Sequence, residues 1–173
     1  MNPYFCCCLL YTSLIDLVQL EEFPALSESN MTAIVFSGSG RKQELRKETL
    51  EAEEGEEDAV SYRWTLTTEE GETVLERDNQ TLSRLLDTLS SLQFTACYDY
   101  KANEAALTAC GLLDPVTMTV TYDQGASFTL SIGAYDQLSG VYYARLNESR
   151  MIHLLDATTA ETIVGLAKGT ENK

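Results

Sequence analysis

The segment Val116-Thr-Met-Thr-Val-Thr-Tyr122 constrains the fold more than any other stretch of the chain. Val116, Met118, Val120 and Tyr122 alternate with Thr117, Thr119 and Thr121. Successive side chains of an extended chain point to opposite faces, so the pattern describes a strand with one apolar face and one hydroxyl-bearing face. Asp123-Gln-Gly125 turns the chain, and Phe128, Leu130 and Ile132 alternate on the return. The two runs are predicted to pair as an antiparallel hairpin with their apolar faces on one core. A sheet buried on one side needs a covering layer. Leu82, Leu85, Leu86, Leu89 and Leu92 supply it, because their spacing puts all five on one face of a helix. Asp78 is the expected cap of that helix.

The remaining elements follow the same periodicities. Ile34 and Phe36 alternate in a short strand, Gly38-Ser-Gly40 turns, and Gln43-Glu-Leu-Arg-Lys returns as a polar, exposed strand. Residues 60–66 resume the alternation, with Tyr62, Trp64 and Leu66 on one side. Trp64 reads as a core or sheet-face residue more readily than as a binding platform. Glu70-Gly71-Glu72 turns the chain into a short return over residues 73–75. Residues 94–100 read as a strand, and Asn103 caps a short helix that Gly111 ends. After a loop over residues 133–140, residues 141–146 and 151–155 pair across the turn Asn147-Glu-Ser-Arg150. Ile163, Val164 and Leu166 anchor a last helix over residues 158–167. The expected fold class is therefore α+β: an antiparallel, hairpin-rich sheet packed against a leucine-striped helix, with short additional helices. The expected division is an N-terminal helical or trimmed leader segment (1–30), a single α+β domain (31–168) and a frayed tail (169–173). The hairpin over residues 34–45 faintly echoes that over residues 120–130, too briefly to define a repeat.

Charge narrows the function classes. The chain of 173 residues carries 27 acidic and 12 basic side chains, a net charge of −15. Such a field repels phosphate backbones and anionic headgroups, so nucleic acid is not an expected partner. Residues 4–20 are apolar-rich, but Asp16, Thr12, Ser13 and Gln19 make them too polar for a membrane span. No Lys or Arg precedes them, as a signal peptide would require. An amphipathic helix over residues 9–23, with Leu10, Leu14, Leu17 and Val18 on its apolar face, is one reading; the trimmed remainder of a longer N-terminus is the other. Residues 51–58 hold six acids and no base, and read as a solvated loop. They lack the ligand spacing of an EF-hand, although a cation site is the alternative.

The sequence concentrates no catalytic chemistry. It has neither a G-x-S-x-G elbow nor an H-E-x-x-H helix, and its glycines form no phosphate cradle. His153, the only histidine, reads as a structural or surface residue, with a general base as the alternative. Cys6, Cys7 and Cys8 are consecutive, and Cys97 and Cys110 read as buried thiols or a bridged pair. Asp99, Asp114, Asp123 and Asp136 sit where turns favour aspartate. Asn30, Asn79 and Asn147 each begin an N-x-[ST] pattern. No catalytic, cofactor-binding or metal-binding residue is therefore expected. Tyr98, Tyr100, Tyr135, Tyr142 and Tyr143 cluster in the C-terminal half as the candidate interaction surface, with ordinary sheet packing as the competing reading. Tyrosine supplies contact area at small entropic cost. Tyr142 and Tyr143, adjacent on one strand, must face opposite sides.

Cys110-Gly-Leu-Leu-Asp-Pro115, the strand at 116–122, Asp123-Gln-Gly, Phe128-Thr-Leu-Ser-Ile-Gly133 and Gly140-Val-Tyr-Tyr-Ala-Arg145 together resemble the bacterial family known as domain of unknown function 4340 (DUF4340). Trp64, Asp78 and the leucine stripe match its earlier part, and the resemblance covers roughly residues 32–166. It implies a domain that follows a membrane anchor, sits outside the cytoplasm, and in some members accompanies ABC-type export systems related to gliding motility. It implies no catalytic residues. The resulting expectation is a non-enzymatic extracytoplasmic interaction or accessory domain with a protein partner, such as an envelope transport component. A small-ligand or glycan-binding module is the alternative.

Overall fold

The computed structural model describes residues 18–50, 61–76 and 78–168. Within them one antiparallel sheet of nine strands is built from β1 (Met31–Gly38), β2 (Arg41–Leu50), β3 (Ser61–Thr68), β4 (Gly71–Leu75), β5 (Ala96–Asp99), β6 (Val116–Tyr122), β7 (Ala126–Asp136), β8 (Val141–Leu146) and β9 (Ile152–Asp156). Three helices accompany it: α1 (Gln80–Ser90), α2 (Glu104–Ala109) and α3 (Ala157–Lys168). The strand order is β4-β3-β2-β1-β6-β7-β8-β9-β5. Two four-stranded meanders, β1–β4 and β6–β9, thus meet at the central β1–β6 pair, and each is followed by a helix, α1 or α3. The faint echo in the sequence falls on the two hairpins that flank this central pair. The α+β class and the antiparallel sheet are as the alternation predicts.

One face of the sheet carries the main core. Ile34 lies opposite Leu45 on one side and Val120 on the other, and Met118 lies opposite Phe36 and Leu130, all buried. α3 approaches the strands most closely, because the residues it buries are Ala160, Ile163 and Ala167, and the two alanines let its backbone descend onto the sheet. Asp156 starts it directly from β9 by accepting a hydrogen bond from the Thr159 N–H at 3.1 Å. α1 packs beside α3 and buries Leu82, Leu85 and Leu89. Leu86, expected at the centre of the stripe, is only half-buried. The cap is Asn79 rather than Asp78: its Oδ1 accepts the Leu82 N–H at 3.0 Å, which Asp78, one residue earlier, is not placed to do.

Three other expectations change. Of the helix foreseen over residues 9–23, residues 18–23 are described and are not helical; residues 9–17 lie outside the described part. Residues 18–26 cross the core face as an irregular strap that buries Leu26 and packs Leu20 and Phe23 against the core, and residues 27–30 turn the chain into β1. Pro24 disfavours helical backbone at Phe23 and stops any helix from continuing past it. The turn at the strap's end is tied down at Trp64, whose indole N–H donates to Glu28 at 3.2 Å, and by Lys47, whose ammonium donates to the Ser29 carbonyl at 2.8 Å. The return strand at Gln43 is not exposed throughout, since Gln43 and Leu45 point into the core face. β7 runs on to Asp136, through a register shift after Ile132, so the loop expected from residue 133 begins only after 136. The acidic segment 51–58 lies outside the described residues.

On the opposite face α2 covers one corner, where Ala102, Cys110, Leu112 and Ile152 form a small second core against Tyr143. Its C-terminal turn crosses β7 at two glycines. A Cβ on Gly111 would stand 2.9 Å from the Ala134 nitrogen, and one on Gly133 would fall on the Cys110 carbonyl oxygen. The Ala134 N–H donates to that carbonyl at 2.8 Å, sealing the crossing.

Candidate functional site

The five tyrosines gather around the β5, β8 and β9 end of the sheet, but the sheet divides them. Tyr135 and Tyr142 pair across β7 and β8 with ring centroids 5.0 Å apart, on the face that α3 covers. Tyr98 and Tyr143 meet at 4.8 Å on the α2 face. Tyr142 and Tyr143 do face opposite sides, and each is half-buried. Tyr98 and Tyr135 are 46% and 45% exposed. Tyr100 stands apart beyond β5, with the Lys101 ammonium 5.4 Å from its ring centre. Leu138, at the tip of the β7–β8 hairpin, is 98% exposed, a position from which an apolar side chain contributes nothing to this chain's own core.

Burial pushes the Tyr143 hydroxyl up to about 12, reinforced by the charge of Asp136 and by Tyr98 and Cys110 nearby. Burial also raises Tyr142, with Glu161 adding to it. The folded protein therefore keeps a proton on Tyr143 at pH values where an unfolded tyrosine, with its ordinary value of about 10, has released it. Stability should fall as pH rises from about 10 to about 12. Urea midpoints across that window test this, and Tyr143→Phe should flatten the decline.

The other candidate residues are engaged in structure. His153 is fully buried, stacked 4.1 Å from the Phe94 ring, with its Nε2 2.8 Å from a Glu21 carboxylate oxygen. It fastens the strap to β9 from inside the core. Cys97 and Cys110 are free thiols, buried on opposite faces, and burial raises both. Asp99 accepts the Lys101 N–H at 2.8 Å; Asp136 accepts the Leu138 N–H at 3.0 Å and the Ser139 hydroxyl at 2.8 Å, and these bonds hold its carboxyl below the usual range. Asn30, Asn79 and Asn147 each accept a backbone N–H, from Ser27, Leu82 and Thr129 respectively. Among the described residues no group of three or more His, Cys, Asp or Glu side chains is arranged to hold a metal ion, and no helix is long and apolar enough to cross a membrane. Residue types alone do not point to Leu138, whose one signal is an apolar residue in the turn Asp136-Gln-Leu-Ser-Gly140.

The motifs from Gly111 to Arg145 thus occupy one contiguous region: the α2 crossing, the central hairpin and the tyrosine-bearing β7–β8 end. The family model described as "Domain of unknown function (DUF4340)" matches residues 64–168, more than half of the chain. The chain belongs to the DUF4340 family. The match begins at Trp64 on β3, later than residue 32, where the resemblance in the sequence starts. β1 and β2 precede it, yet β1 is the partner of β6 at the centre of the sheet, so in this DUF4340 protein the folding unit reaches beyond the matched range. No curated protein and no solved structure matches the chain.

Proposed function

We propose that this DUF4340 domain is a non-enzymatic, extracytoplasmic interaction module that binds a protein partner of an envelope assembly, such as the accessory part of an ABC-type export or gliding-related system. The observation that carries the reading is the aromatic β7–β8 end. Tyr135 with Tyr142 on one face and Tyr98 with Tyr143 on the other flank a hairpin whose tip exposes Leu138. Aromatic rings held by sheet packing lose little freedom on binding, which favours them as anchors at protein interfaces. The buried positions of His153, Cys97 and Cys110 support a role in contact rather than in chemistry. The envelope setting rests on family resemblance alone. With a net charge of −15, the partner is expected to present a basic face, and association should slow as salt is added.

The test is quantitative capture by the intact chain from the envelope extract of a bacterium that encodes it, beside a Tyr98→Ala/Tyr135→Ala/Leu138→Ser variant. All three sites are exposed, so the variant should fold normally by circular dichroism. A partner recovered by the parent chain and reduced at least roughly tenfold with the variant, equivalent to about 1.4 kcal/mol, is the expected result. Equal recovery by both would overturn the proposed surface.

A further inference from the structure

At the other end of the sheet, between β2–β4 and helices α1 and α3, lies a cleft of about 540 Å³, a volume typical of small-ligand sites. Leu45, Leu66, Leu75, Leu82 and Leu166 make its floor and walls apolar. Gln43 lines it too. This side chain is only 9% exposed, and no hydrogen bond reaches its amide among the described residues. An amide holds two N–H donors and a carbonyl acceptor; here both polar atoms open onto the cleft and meet solvent there, so a ligand that fills the cleft must replace that water with partners of its own. Two positions earlier on the same face of β2, about 7 Å along the strand, Arg41 stands at the rim. Its guanidinium donates to the Lys168 carbonyl at 3.0 Å and pairs with no carboxylate among the described residues. Glu69 and Glu70 of the β3–β4 turn share that rim.

We propose that this cleft binds a short apolar peptide with free termini. Each feature of such a ligand answers one feature of the cleft. Its backbone amide offers the acceptor and donor that Gln43 lacks. Its carboxylate meets the five-donor fork of Arg41, its ammonium meets Glu69 and Glu70, and its apolar side chains lie on the leucines. A fatty acid would satisfy Arg41 and the leucines but leave Gln43 unpaired. This site is independent of the tyrosine surface, since β4 and β5 are opposite edges of the sheet.

The experiment is isothermal titration of the intact chain with the tripeptide Leu-Ala-Leu, its C-terminal amide and octanoate. The free peptide should bind saturably, and the amide roughly tenfold more weakly. Arg41→Gln, at an exposed residue, should abolish that difference. Gln43→Leu should weaken the peptide roughly tenfold without lowering the melting temperature of the free protein, because its amide faces the cleft and holds no other part of the fold. That paired outcome separates a ligand-binding glutamine from one that merely supports the fold. No saturable peptide binding, octanoate binding as tightly as the peptide, or peptide affinity indifferent to both substitutions would overturn the proposal.

Discussion

Gly133→Ala should destabilise this protein by about 3–4 kcal/mol, combining the overpacking of a core position with the loss of one hydrogen bond. The new methyl would land on the Cys110 carbonyl oxygen, a backbone atom that cannot swing aside as a side chain can. Relieving the clash would push the α2 turn away from β7, breaking the 2.8 Å bond from Ala134 to Cys110 and opening the small core around Leu112 and Ile152. Gly125→Ala is the control. Gly125 has a positive φ of 100°, but a methyl added there would meet nothing within 4 Å. Its replacement should cost only about 1–2 kcal/mol of backbone strain. Urea unfolding of the two variants gives the comparison. Equal effects would show that the crossing of α2 over β7 yields to an added methyl at little cost, since Gly133, unlike Gly125, has no left-handed backbone to strain.

The second large effect is expected at Leu85. It is fully buried where α1 meets the core, and Leu85→Ala should cost about 2–5 kcal/mol. Leu86→Ala should cost clearly less, since that side chain is only half-buried. The order is informative, because the leucine spacing in the sequence treats the two positions alike. If Leu86→Ala proved the costlier substitution, the orientation of α1 about its axis would be wrong.

Those leucines illustrate what the sequence can and cannot say about the fold. Period-two alternation in Val116–Tyr122 specifies a one-sided strand so strongly that its register with β7 is readable, Val120 meeting Phe128. Periodicity of 3.6 locates α1 but leaves its rotation open by one residue, because five leucines subtend a broad arc. The strap is illegible for a different reason. Leu20, Phe23 and Leu26 recur every third residue, which mimics a helical stripe, and only their packing on the core holds the segment in a non-helical path. Gln43 looks solvent-exposed in the sequence because its neighbours Glu44, Arg46 and Lys47 are charged. Its inward direction follows from pairing with Phe36, a tertiary contact that local composition does not encode.

For the candidate surface, residue type and alternation pick out the tyrosines and put Tyr142 and Tyr143 on opposite sides. They do not divide all five between two faces, because Tyr98 reaches Tyr143 from a strand whose register shifts between Cys97 and Asp99. Nor do they single out Leu138, since a leucine in a turn looks ordinary until the hairpin is seen to project it into solvent.

The proposed role is tested most directly by hydroxyl-radical footprinting of the intact chain, free and saturated with the partner recovered from the envelope extract. Oxidation of Tyr98, Tyr135 and Leu138 should drop at least severalfold in the complex, while Val74, exposed on the opposite edge strand β4, should stay unchanged. Unaltered oxidation of all three residues, with protection appearing at Val74 instead, would contradict the assignment of the β7–β8 end as the contact surface.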